Sequence, residues 1–154
     1  MNYRKHNEDL RILQIEAARP RFGQSPGWKR VDWKPTPSGG NLIFLRQMIL
    51  PPSCSVRRSD IKIEAPANLY EPAGGGRLFF YRNVWIAPDV RLYDPRTRSW
   101  AAMPRLHSRD GDNFSFLCVH PDPVTADRNI LDFIRTLDLY WTNPGYKSAA
   151  GERM

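Results

Sequence analysis

Leu106-His107-Ser108-Arg109-Asp110-Gly111-Asp112-Asn113-Phe114-Ser115-Phe116-Leu117-Cys118 decides how the rest of the chain is read. A histidine, a polar turn about one glycine, a short apolar run and a cysteine make a compact hairpin-like unit. Phe114 to Val119 is expected to be extended. Val119-His120-Pro121-Asp122-Pro123 cannot prolong it, because prolines lack the N–H that a strand ladder needs. The cysteine is therefore expected at a strand's end beside a polar loop, where a thiolate can act as nucleophile provided it is exposed. Phe114, Phe116 and Cys118 also share one face of a period-two strand, and that pattern alone describes a buried apolar cysteine.

Downstream, Thr125 is the expected N-cap of a helix opened by Ala126 and Asp127. Ile130, Phe133, Ile134, Leu137 and Trp141 form its apolar stripe, Asp132, Arg135 and Asp138 lie on other faces, and Pro144-Gly145 ends it. Upstream, residues Asn7 to Arg19 predict a first helix, with Asn7 as N-cap, Leu10, Leu13 and Ala17 as stripe, and Pro20 as stop. The segment from Pro20 to Gly40 is rich in Pro, Gly and Ser, with Trp28 and Trp33 expected to be pinned onto the domain. Strands are expected at Asn41–Leu50, Ile61–Ala65, Leu78–Ile86 and Val90–Tyr93, with Gly74-Gly75-Gly76 as a turn. The sum is an α+β domain over residues 1–146, an antiparallel meander with a helix at either end, followed by a loose tail at 147–154.

Around the cysteine stand several groups with chemical capacity. His107 and His120 flank Cys118, and each can serve as a base or simply stabilise a loop. Asp110, Asp112 and Asn113 crowd one turn, which is good turn chemistry. Asn113 also offers a side-chain N–H to an oxyanion, and an acid there can orient an amine. No standard zinc spacing links these residues, so no metal site is expected. Cys54, in a loop after two prolines, has no such surroundings.

Composition bounds the function. The chain has 154 residues, 41% of them hydrophobic, enough for one domain with a core. No apolar run reaches the roughly 18 residues of a membrane span. No apolar segment follows Met1–His6 as in a secretory signal, and two cysteines do not make a disulfide framework, so a reduced, cytoplasmic protein is expected. The net charge is +7, residues 1–100 hold a basic surplus of eight, and acids outnumber bases in 105–138. The absence of a Lys/Arg block argues against nucleic acid as a partner.

The stretch from about Ile61 to Pro144 resembles the ubiquitin-conjugating enzymes, in particular divergent bacterial members encoded beside ubiquitin-like modification genes. In that family a His-Pro-Asn turn precedes the catalytic cysteine across a Gly-containing polar loop. His107, Asp110-Gly111 and Leu117-Cys118 stand in the matching places. A Pro-containing loop, a Thr-capped helix and an Asn-Pro follow, matched in order by Pro121, Pro123, Thr125, Ile130, Ile134, Leu137 and Asn143-Pro144. The chain departs from the family where Ser108-Arg109 replaces Pro-Asn, so Asn113 or a backbone amide would have to serve the oxyanion. The resemblance implies transthiolation: Cys118 takes a ubiquitin-like protein from an activating enzyme as a thioester and passes it to an amine of a target. It implies His107 and Asn113 in the site with Cys118, supported by Asp110, Asp112 and His120, and no cofactor. Two alternatives stay open. One is an inactive module of the same fold; the other is a small basic nucleic-acid-binding protein using Trp28, Trp33, Tyr81 and Arg82.

Overall fold

Alternate apolar residues dictate a sheet with one buried face. A computed structural model describes residues 1–102, 106–109, 112–117, 119 and 122–142. Strands β1 (Arg30–Pro35), β2 (Asn41–Ile49), β3 (Arg58–Ala65) and β6 (Arg82–Ile86) run antiparallel side by side. Strands β10 (Ser115–Leu117) and β9 (Leu106–Arg109) extend the sheet to the order β1-β2-β3-β6-β10-β9. Its register aligns Val31, Leu45, Ile61, Ile86 and Ser115 in one row and Trp33, Ile43, Ile63, Val84 and Leu117 in the next. Apart from Trp33, these residues are buried. Each buried Ile or Leu contributes roughly 1.5–3 kcal/mol.

Two helices cover that face. Helix α1 spans Tyr3–Glu16, and Asn2 caps it by accepting the Lys5 N–H at 3.2 Å. The start is earlier than the sequence suggested, so Asn7 is an exposed helical residue, and the buried stripe is His6, Asp9, Leu10 and Leu13. Polar residues at two core positions hid this turn from a periodicity argument. Helix α2 spans Ile130–Thr142, and the expected stripe is buried, joined by Tyr140. Its cap is Asn129 and not Thr125. Asn129 accepts the Leu131 N–H, and Asp132 reaches back to the Asn129 N–H, both at 2.9 Å. This reciprocal pair satisfies two donors that a helix start leaves open. Thr125 instead donates to Asp127 within the preceding turn.

Trp28 is the bolt between the segments, buried, with its indole N–H donating to the Leu13 carbonyl at 3.0 Å. Trp33, expected to be pinned likewise, is 44% exposed on β1. The sequence segment Leu78–Ile86 divides into β5 (Arg77–Leu78) and β6. Asn83 sits at φ 53° and the β3–β6 register shifts beside it, while Leu78 pairs with Val124. β4 (Pro72–Gly74) pairs with β5 around the expected triple-glycine turn, whose residues hold φ of 99°, 60° and 74°. β7 (Arg91–Asp94) and β8 (Ser99–Ala102) form a separate hairpin. It hangs on the loop after β2: Tyr93 N–H donates to the Ser53 carbonyl at 2.7 Å and Ser55 N–H to the Arg91 carbonyl at 2.8 Å.

The other sheet face carries the row Asp32, Phe44, Lys62, Trp85 and Phe116. Cations and rings alternate there. The Arg46 guanidinium lies 4.5 Å from the Phe44 ring centre and binds Asp32 at 2.8 Å and Asp60 at 3.1 Å. Such contacts let the charged stems cover apolar surface where no described helix does.

Candidate functional site

The β9–β10 pair forms as a hairpin-like unit, with Ser115 opposite Arg109 and Leu117 opposite Leu106. β10 is also tied to β6, so its end at Leu117 lies beside Val84. Leu117 and Val119 are both fully buried, and the Val119 N–H donates to the Leu117 carbonyl at 2.9 Å. Of the residues expected in the site, Cys118, His120 and Asp110 lie outside the described residues. His107 is placed by its backbone in β9, and its side chain lies outside the description. The expected helix end at Pro144-Gly145 and the tail at 147–154 also fall outside.

Asp112 and Asn113 are described, and they divide in role. Both are exposed. Asn113 takes φ 70°, a left-handed conformation that asparagine tolerates better than most residues. Asp112 accepts two hydrogen bonds from Lys62 Nζ, each 3.1 Å. The Lys62 side chain is only 3% exposed and its ammonium lies 4.7 Å from the Trp85 ring centre and 4.9 Å from that of Phe114. Lys62 thus clamps the turn before β10 onto the outer sheet face. Asp112 has a structural partner across 50 residues of chain, a pairing that no local pattern reveals.

Cys54 is settled by its surroundings. It is buried, and burial first, then the charge of Asp138, push its thiol up to about 12. A thiol so raised holds almost no thiolate near neutrality and is a poor nucleophile. Among the described residues no group of three His, Cys, Asp or Glu side chains could hold a metal ion.

A polar network at the base of α1 escaped sequence reasoning altogether. Tyr70 and Tyr81 both donate to Asp9 Oδ2, and Asp9 also takes the N–H of Ile130 at the start of α2. Because the Tyr81 proton goes to Asp9, its oxygen is free only to accept, and it receives His6 Nδ1–H at 3.0 Å. His6 Nε2 is then the bare nitrogen that accepts Asn41 Nδ2–H at 2.9 Å. Burial holds the imidazole neutral, lowering it to about 4. Burial also raises Asp9, against the opposing hydrogen bonds of Tyr70, Tyr81 and Ile130 and the charge of Lys5. Both tyrosines are raised by the same burial and by Asp9. The network fastens α1, α2 and the 69–81 loop together. Its trace in the sequence is His6 and Asp9 one helical turn apart, legible only once the helix is started at Tyr3.

The remaining aromatic expectation is corrected by burial. Trp28 and Tyr81 are 1% and 0% exposed, so neither can stack on a base. No helix of the described residues is long and apolar enough to cross a membrane. In comparisons with known proteins, no family model, no curated protein and no solved structure matches this chain.

Proposed function

We propose that this α+β domain is a ubiquitin-conjugating-enzyme-like transferase whose acceptor is Cys118. The observation that carries the reading is the order of elements around that position. Helix α1 and the antiparallel strands β1, β2, β3 and β6 come first. The paired β9 and β10 lead directly to residue 118, and helix α2 follows after a proline-bearing loop. The inert setting of Cys54 supports it by leaving one candidate thiol of two.

The chemistry is acyl exchange. The Cys118 thiolate attacks the thioester carbonyl joining a ubiquitin-like protein to an activating enzyme. A carbon–sulfur bond forms, the old one breaks, and the departing thiolate takes up the proton that Cys118 gave up. A target amine then attacks the new thioester, Cys118 leaves as thiolate, and the excess amine proton passes to a base. His107 is the base that the resemblance brings to the site, with His120 just beyond Cys118 in support, and Asn113 is the side-chain donor for the oxyanion. The thioester is already activated, so orientation supplies most of the acceleration. A cytoplasmic setting follows from a free thiol and a partner charged with the aid of ATP.

A second reading is favoured by one observation: Ser108-Arg109 stand where the family carries Pro-Asn, so its oxyanion asparagine is missing from that place. Without a substitute donor the domain would be a non-catalytic module of the same architecture. The two readings separate on a gel without reductant, after incubation with a candidate activating enzyme, ATP and a ubiquitin-like protein. A thiol-sensitive adduct is expected in the native protein and in Cys54→Ala, none in Cys118→Ala, and a reductant-resistant oxyester in Cys118→Ser. An adduct that persists in Cys118→Ala, or no adduct under several partner pairings that are otherwise active, overturns the transferase.

A further inference from the structure

We propose that the β7–β8 hairpin, with the loop it hangs on, is a binding platform for single-stranded nucleic acid. Tyr93 and Trp100 face each other in register across the hairpin and remain 37% and 50% exposed. Their rings meet edge to face at 5.1 Å. Trp100 also walls a cavity of about 380 Å³ with Pro51, Pro52, Val56 and Arg57, whereas Tyr93 takes no part in it. One tyrosine thus braces a tryptophan whose remaining surface looks onto a cleft with room for a nucleobase. So much wet aromatic area on a rigid hairpin is costly unless something stacks on it.

Arg57 lines the cleft, and the hairpin beside it carries Arg91 and Arg98. Arg57 has the Gln24 amide oxygen as its partner, and among the described residues the Arg91 guanidinium reaches only the carbonyls of Pro88 and Val90, at 3.5 Å. Arg98, at φ 55° in the hairpin turn, has no carboxylate within ion-pair distance among the described residues. Arg96 differs, being paired with Asp94 at 3.3 Å. Arg57 in the cleft wall and Arg91 and Arg98 on the hairpin, none of them ion-paired among the described residues, match phosphates spaced along a strand whose base enters the cleft. An acidic peptide would satisfy the arginines but leave the two rings without a purpose. The expectation against nucleic acid rested on the lack of a basic run; positions 57, 91 and 98 are gathered by the fold and not by the sequence. The platform stands where β2 ends and β3 begins. Leu117 lies beside Val84, which pairs with Ile63 toward the other end of β3.

The test is fluorescence anisotropy of labelled oligo(dT) and oligo(rU), about 12 nucleotides each, with the full chain from about 50 to about 200 mM salt. Three phosphate contacts predict a log–log salt slope near −2, at roughly −0.7 per contact on single strands. Each of Arg57→Ala, Arg91→Ala and Arg98→Ala should flatten the slope by about 0.7. Trp100→Ala should weaken binding about tenfold, while Trp100→Phe, which keeps a ring, retains most of it. Photocrosslinking of a bromouridine oligonucleotide to the unaltered protein should map to residues 91–100, which holds even if Trp100→Ala does not fold. Equal affinity in folded Trp100→Ala, or crosslinks that map elsewhere, overturns the platform. Displacement by polyglutamate as effective as by unlabelled oligonucleotide also overturns it, and marks an acidic-protein surface instead.

Discussion

His6 shows how a single residue sets a condition on the whole fold. In an unfolded chain its imidazole takes a proton at 6.5, whereas in the folded protein burial holds that event down to about 4. Between those values the unfolded state binds more protons, so the His6 contribution to stability is full above 6.5 and is lost as the pH falls to about 4. Asp9 works in the opposite sense. Its carboxyl is raised above 3.8, so its share is present below that value and fades as pH rises through the folded one. The two partly offset at the acid end, and only a comparison separates them. The denaturant-unfolding free energy of the native protein should fall by about 3 kcal/mol more than that of His6→Gln between pH 7 and pH 4. Parallel curves for the two proteins would show that His6 is not the group responsible.

At the scale of elements, charged side chains hold the irregular parts to the regular ones. Arg21 forks onto Asp138 with bonds of 3.0 and 2.8 Å, fixing the segment after α1 against α2. Lys62 does the same for the turn before β10, from a position within β3 that a sequence reads as solvent-facing. Removing the acid and removing the base should therefore differ. Asp112→Ala takes the carboxylate from a cation already out of water and should cost about 1–2 kcal/mol, less than a fully buried pair because Asp112 is 43% exposed. Lys62→Met keeps the stem between the Trp85 and Phe114 rings and should cost under about 1 kcal/mol. Thermal and denaturant midpoints of the two variants measure this directly, and the reverse order would mean that Asp112 is not what holds Lys62.

The apolar stripe of α2, the β2 ladder and the triple-glycine turn were legible because their periodicity and turn chemistry are local. β1 and β8 were missed because they are short and carry exposed residues, so their strand character comes from pairing and not from alternation. The α1 start and the α2 cap slipped by several residues, since the polar residues used there, His6, Asp9 and Asn129, gain their partners only from distant chain. At the candidate site the extended run before residue 118 and its hairpin-like setting could be read, whereas the strand at Leu106–Arg109 and the engagement of Asp112 by Lys62 could not.

For the molecule as a whole, function turns on the contrast between two thiols. Cys54 sits in the core beneath the β7–β8 hairpin, raised to about 12 and shielded from reagents unless the domain opens. The proposed transfer needs the second thiol to be accessible and ready to ionise in the folded state. The most direct measurement requires no partner protein: pulse alkylation of the native chain near neutral pH, quenched and mapped by peptide mass spectrometry. Rapid modification of Cys118, with Cys54 labelled only after denaturant is added, is the predicted result. Protection of both cysteines until the protein unfolds would contradict the transferase and leave a module that binds without reacting.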